Sequence, residues 1–385
     1  MAATPDHVRY FDHAATSWPK PSGVIEAMAH AMTHAGGNPG RGAHSLALAA
    51  SRTILESRDV CARYLGVHDS RDLAFMPSCT VGMNLALKGL LKPGDRVIVS
   101  SMEHNAVARP LNVLAAQGVR IDTVLADITG LVDLGEVERM LAHSPARAVI
   151  CQHASNLSGS IQPVADLVDI AHAAGALMIV DGAQAAGHLK IDLGTLGADV
   201  YTVAGHKGLL GPQGVGLLYL APGVEPVELV QGGGGGPSDE PFQPQLRPDR
   251  YEAGTGNLPG VAGLGAAVSF LAAHENEIFV AEQALTQRLL EGLEAIDGLR
   301  VLGPMTGEPR VPVVSVVHER VDADRIAFEL DRGYGIAVRA GLHCAPWAHK
   351  TLGTLETGAV RFSLGLGLTG DDVDAAVVAM RAICG

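Results

Sequence analysis

The chain is poor in cysteine and lacks any arrangement that would pair the few it has. Five cysteines (Cys61, Cys79, Cys151, Cys344 and Cys384) stand in 385 residues, odd in number, widely spaced and without a CxxC. That argues against a disulfide framework and for free thiols in a reducing compartment. No metal site is expected. A basic excess is also missing. The formal charge is -13, spread along the chain, which disfavours nucleic acid or an anionic membrane surface as the main partner. No apolar run reaches the length of a membrane span, and "MAATPDHVRYFDH" contains no apolar signal region, so a cytoplasmic protein is expected. There is no fixed-period repeat, which excludes solenoids and propellers. A GxGxxG after a first strand, with an acidic residue about twenty positions on, is absent too, and dinucleotide binding loses its main support.

What remains is an ordinary globular composition, 47% hydrophobic and 18% charged, long enough for a large and a smaller domain. Between about 70 and 220, short apolar runs alternate with helical patterns, as βαβ units around a mostly parallel sheet do. The strand candidates are "DRVIVSS", "RAVICQHAS", "ALMIVDGA", "ADVYTVAG" and "GVGLLYLA". Pro163 to Gly175 reads as a crossover helix, with proline in its first turn, glycine at its end, and one apolar face of Val164, Leu167, Val168 and Ala171. The stretch 231–260 is rich in Gly and Pro and reads as a long loop; its run Gly232 to Gly236 fits a mobile segment better than a phosphate site. Helical patterns over 261–297, then "VPVVSVV", "DADRIAFELDRG", "AVRFSLG" and "DDVDAAVVAMRAI", predict a second α+β domain. The expected division is 17–265 for the large α/β domain, with 1–16 and 266–385 forming the small one and carrying the Cys344 loop.

Chemistry gathers where predicted strands end. Asp181 and Gln184 follow one apolar strand, and Lys207 follows the next in the glycine-flanked turn "AGHKGLLGPQG". A lone lysine is usually a surface charge. A lysine and a carboxylate at one sheet edge also suit pyridoxal 5'-phosphate (PLP), whose aldehyde bonds the amine while the carboxylate keeps the ring nitrogen protonated. "FMPSCTVGMNLALKGL" offers a phosphate cradle at a helix start, in Ser78, Cys79 and Thr80, although such residues are most often plain N-caps. His104 in "SSMEHNAV" falls at the same edge; it suits ring stacking and proton transfer, or is a solvated loop histidine.

Taken in order, "YFDHAATSWPKP", "NPGRGAHSLALAAS", "FMPSCTVGMNLA", "SSMEHNAV", "HASNLSGSIQPV", "VDGAQAAGH", "AGHKGLLGPQGVGLLY", "RYEAGTGNLPGVAGLGAA" and "RAGLHCAP" resemble the class V, fold-type I PLP enzymes. The likeness is greatest to group II cysteine desulfurases and selenocysteine lyases. It implies a large mostly parallel-sheet α/β domain, a smaller α+β domain and a homodimer. It implies that Lys207 bonds the cofactor, Asp181 pairs with its ring nitrogen, Gln184 bonds its ring hydroxyl and His104 stacks on it. His206, Cys79 and Thr80 are implied at the phosphate, with Thr255 reaching it across a dimer interface. Asn156 and Arg339 are implied near the substrate, and Arg361 would pair with its carboxylate through two parallel bonds. Cys344 is implied as the nucleophile.

The resemblance implies that L-cysteine yields L-alanine and a persulfide on Cys344, which a sulfur-acceptor protein then relieves; L-selenocysteine is the alternative substrate. A free thiol titrates near pKa ~8.5, so Arg339 or a charged His343 would raise the thiolate fraction. The chain departs from the family pattern at Ala204, often serine, at Ser78-Cys79-Thr80, often Gly-Thr-Thr, and before Arg41, where a histidine is missing. Two other readings stand beside this one: a class V aminotransferase or β-lyase that does not use Cys344, and a PLP-holding protein without turnover. Cys61, Cys151 and Cys384 are expected to be structural.

Overall fold

The structure is a computed structural model that describes residues 8–40, 42–234 and 239–385. Arg41, residues 1–7 and the glycines at 235 and 236 lie outside the described residues. The apolar runs form one seven-stranded sheet. Across it lie Leu73–Met76, Gly216–Leu220, Val200–Ala204, Leu177–Asp181, Ala148–Gln152, Arg96–Ser100 and Arg120–Val124. Gly216–Leu220 runs antiparallel to both of its neighbours, and the strands from Val200–Ala204 to Arg120–Val124 are all parallel. These strands read as unbroken apolar runs because helices cover both faces. Two apolar clusters flank the sheet, one around Val149, Val180 and Tyr201, the other around Val99, Ile150 and Ile179. The crossover helix is Val164–Ala173, capped by Pro163, as the sequence predicts.

A second core belongs to a four-stranded antiparallel sheet of Arg339–Gly341, Ala359–Ser363, Val313–His318 and Leu299–Leu302. Phe11, Val314, Ile326, Phe362 and Met380 fill it. The helical pattern after the glycine-rich loop is a single helix, Leu258–Glu294, 37 residues long. The expected boundary at 265/266 falls inside it. Its first half places Val261, Leu264 and Val268 in the large core, and its second half places Leu289, Leu290 and Leu293 in the small one. No helix among the described residues is long and apolar enough to cross a membrane.

The chain's first described residues tie the two sheets together. Arg9–Tyr10 pairs with Ile336–Ala337, and Phe11 accepts a hydrogen bond from Ser363 N–H at 2.8 Å. A few residues on, Ser17 N–H (2.9 Å), Ser17 Oγ (3.1 Å), Thr16 Oγ1 (3.2 Å) and Lys20 Nζ (3.1 Å) all donate to the His206 carbonyl. Residues 9–20 are therefore a strap from the small sheet to the turn that carries Lys207.

Candidate active site

Because the strands leading to it are parallel, their carboxyl ends meet at one edge, and there a cavity of about 220 Å³ opens. Asp181 ends its strand; Gln184, His104, His206 and Lys207 follow theirs; Ser78, Cys79 and Thr80 follow the edge strand Leu73–Met76; all line the cavity. Asn156, Arg339, His343 and Arg361 line it from the other side. Sequence-predicted residues that lie far apart in the chain thus meet in one place. Glycines make the lysine turn feasible. A Cβ on Gly205 would come within 2.6 Å of the Val215 carbonyl oxygen, and one on Gly208 would collide with the Ala186 carbonyl.

Burial pulls the Lys207 amine below its ordinary pKa, while the Asp181 charge opposes that shift. The neutral amine, the form that attacks an aldehyde, is thereby favoured. Asp181 is buried and accepts from Ala183 N–H at 3.0 Å. Cys79 differs from the expectation that its side chain reaches a phosphate. Its Sγ turns inward, 3.4 Å from Asp181 Oδ1 and 3.2 Å from Thr202 Oγ1. Burial, then the Asp181 charge, pushes its pKa up, so it stays a thiol and donor. Ser78 spends its hydroxyl on Val81 N–H at 3.2 Å. The groups that could hold an anion here are the first N–H groups of the helix Cys79–Leu90, which have no intrahelical partner, together with the exposed Thr80 and with His206.

His104 caps the helix Asn105–Ala116, its Nδ1 accepting from Ala106 N–H at 3.0 Å. The proton therefore sits on Nε2. Burial and then the Lys207 charge lower its pKa to about 4, so the ring is neutral. Arg361 is 1% exposed, donates to Asp12 Oδ1 at 2.7 Å and to the Asn156 carbonyl at 3.1 Å, and lies opposite Arg339 in the strand register. Burial lowers its pKa and Asp12 counters. Directly opposed residues share a sheet face, which puts both guanidiniums on the same side.

Cys344 is exposed and is not itself among the residues lining the cavity; Arg339, which lines it, has its Nη2 3.6 Å from the Cys344 Sγ. Cys344 and His343 both have left-handed backbones, φ 57° and 50°. Each such non-glycine residue costs on the order of 1–3 kcal/mol. The loop holds the conformation through Asn156 Nδ2 on the His343 carbonyl (2.7 Å) and Asn105 N–H on the Cys344 carbonyl (2.8 Å). A charged His343 is disfavoured. Burial, then Arg361, lowers its pKa to about 3, leaving Arg339 as the cation beside the thiol. Thr255 lies elsewhere, exposed in a second cavity of about 320 Å³ with Asn38, Arg58, Glu252 and Gly233.

Sequence reading missed the strap. "TSWPK" contains a hydroxyl pair and a lysine but nothing that names a distant carbonyl as their target.

Buried neutral imidazoles set an acid limit. His13, His104, His153 and His206 are lowered to about 4 and His343 to about 3, burial being the largest cause in each. Below pH 6.5 the unfolded chain binds protons that these rings refuse, so stability falls on acidification. Glu103, raised by burial to about 8, acts oppositely above pH 4.5, but it is one group against five. At pH 5, His13 alone removes about 2 kcal/mol. Urea unfolding is expected to give a lower stability at pH 5 than at pH 7.5; equal or higher stability at pH 5 contradicts the neutral assignment.

The pattern of the aminotransferase class-V family matches residues 9–376. A probable cysteine desulfurase of Methanothermobacter thermautotrophicus is 34% identical over 393 residues, covering 99% of this chain and 95% of that one. A probable cysteine desulfurase of Pseudomonas putida is 37% identical over 378 residues, covering 95% and 91%. The apo structure of the cysteine desulfurase from Thermococcus onnurineus superposes with a TM-score of 0.91 at 32% identity, covering 98% of this chain and 94% of that one.

Proposed function

Because the chain belongs to the aminotransferase class-V family and has its fold-type I architecture, we propose that it is a PLP-dependent cysteine desulfurase. The observation that carries this reading is a set of unsatisfied atoms around the lysine. Asn156 Oδ1, Gln184 Oε1, His206 Nδ1 and Arg361 Nε are buried without a hydrogen-bond partner among the described residues, and their residues all line the cavity of Lys207 and Asp181. Buried polar groups rarely stay unpaired; Gln184 Oε1 suits a phenolic hydroxyl, His206 Nδ1 a phosphate and Arg361 Nε a carboxylate, while Asn156 Oδ1, an acceptor, suits an N–H donor. The residues present therefore fit PLP. Lys207 would bond it, Asp181 hold its ring nitrogen protonated, Gln184 take its hydroxyl, His104 face its ring, and the helix start at Cys79 and Thr80 with His206 hold its phosphate. When bound, the cofactor supplies an electron sink for the pair left on the substrate carbons.

The protein's own groups do the rest. Arg361 grips the α-carboxylate with Asn156 beside it. Lys207 Nζ moves the Cα proton, assisted by a neutral His104 whose Nε2 carries a hydrogen. Cys344 Sγ, beside Arg339, attacks the substrate sulfur. An S–S bond forms, the Cβ–Sγ bond breaks, and its electron pair takes a proton to leave L-alanine and a Cys344 persulfide. L-selenocysteine would react in the same way through its selenium. The protein would act as a homodimer, with Thr255 of the partner subunit completing the phosphate site, and would pass its persulfide sulfur to an acceptor protein.

Mass spectrometry of the Cys344 peptide after incubation with L-cysteine tests this. Added sulfur on Cys344 and equimolar alanine are expected. Cys344→Ser should lower alanine formation by on the order of 10²-fold or more. Sulfide and pyruvate at an undiminished rate from Cys344→Ser would instead mark a β-lyase.

A further inference from the structure

The segment after the nucleophile, His349 to Gly358, has no role in the chemistry above, yet two of its polar side chains, His349 and Thr354, are buried. His349 and Thr354 are 0% and 1% exposed. Thr354 Oγ1 lies 2.8 Å from His349 Nδ1, His349 Nε2 lies 3.4 Å from His343 Nδ1, and His343 Nε2 lies 3.1 Å from the Arg339 carbonyl oxygen. The imidazole planes are nearly parallel, 11° apart with centroids at 5.7 Å.

His349 Nδ1 also lies 3.3 Å from the Thr354 carbonyl oxygen, so the proton order that pairs the two imidazoles is the one in which the nearer Thr354 hydroxyl donates to it. A carbonyl only accepts, so His343 carries its hydrogen on Nε2. Its Nδ1 then accepts, so His349 carries its hydrogen on Nε2 and accepts at Nδ1 from the Thr354 hydroxyl. Every link points toward Arg339, whose guanidinium is the one beside Cys344 Sγ. Packing alone has no use for these groups, since Ala345, Ala348, Leu352 and Ala359 already fill an apolar cluster beneath the loop.

We propose that His349 and Thr354 are positioning residues for Cys344: by fixing the tautomer and plane of His343, they hold the left-handed His343-Cys344 turn and keep the thiol against Arg339. The link to catalysis rests on Cys344 being the nucleophile proposed above. The positioning itself does not. Without the relay, His343 can rotate or change tautomer, the turn relaxes to ordinary negative φ, and Sγ leaves the guanidinium.

Alkylation of the purified protein reads this directly, because Cys344 is exposed and Cys61, Cys79, Cys151 and Cys384 are buried. A thiolate beside arginine reacts preferentially with an anionic reagent, so the ratio of iodoacetate to iodoacetamide rates at the Cys344 peptide reports its distance from Arg339. Thr354→Val keeps the shape and removes the hydroxyl; His349→Phe removes the relay; Thr354→Ser restores the donor. The first two should lower the ratio about threefold or more, toward that of Arg339→Ala, with Thr354→Ser near the wild type. Desulfuration kcat should fall with the ratio while KM stays within about threefold. An unchanged ratio in folded Thr354→Val overturns the proposal, whatever turnover does. A reduced ratio, in a protein whose wild type never acquires sulfur on Cys344, would leave the positioning intact and defeat the desulfurase reading.

Discussion

Lys207→Ala is expected to abolish turnover, lowering kcat at least about 10³-fold, because among the described residues no other amine lines the cavity to move the Cα proton. Another base at this edge, His104, is held neutral with Nδ1 committed to the Ala106 N–H. It cannot take over the lysine's covalent role. Borohydride reduction of the wild type should fix the cofactor to the Lys207 peptide, and the variant should trap none. Alanine release within about tenfold of the wild type, or trapping at a different lysine, would refute the assignment.

Arg361 carries the next largest effect. Its guanidinium is buried between Asp12 and the Asn156 carbonyl with Nε free. Arg361→Ala leaves the Asp12 carboxylate and the substrate carboxylate both without a partner in a nearly dry site. Breaking a buried pair in this way costs about 3–5 kcal/mol, so kcat/KM should fall roughly 10²- to 10⁴-fold. Arg361→Lys restores charge but not the planar fork, and is expected to recover only part of the loss. A KM for L-cysteine unchanged in both variants would remove Arg361 from the substrate site. Arg339 is less buried and should weigh less on KM than on sulfur transfer to Cys344.

The parallel strands are legible in the sequence because strands covered on both faces need uninterrupted apolar runs, and candidate catalytic groups then fall just beyond each run. That logic reaches Asp181, His104 and Lys207 without tertiary information. It says nothing of side-chain direction, which is why the Cys79 thiol, expected outward at a phosphate, is found turned toward Asp181. Nor does it report burial, which decides that His343 is neutral. The helix Leu258–Glu294 defeats a division by pattern, since one element serves two cores in succession. The relay through His349 and Thr354 is invisible for another reason: spacings of five and six residues acquire meaning only once a tight loop folds them back.

The segment 9–20 has a consequence for the order of folding. Its residues are made well before their anchors: Asp12 awaits Arg361, and Ala14 N–H awaits Ser363 Oγ, 349 positions further on. Contacts of such sequence separation are slow to close. During synthesis the seven-stranded sheet can assemble around Lys207 while the peptide ahead of that lysine still lacks its full set of tethers. Competence therefore arrives in one late step, when the strand Ala359–Ser363 emerges and draws residues 9–20 across the site.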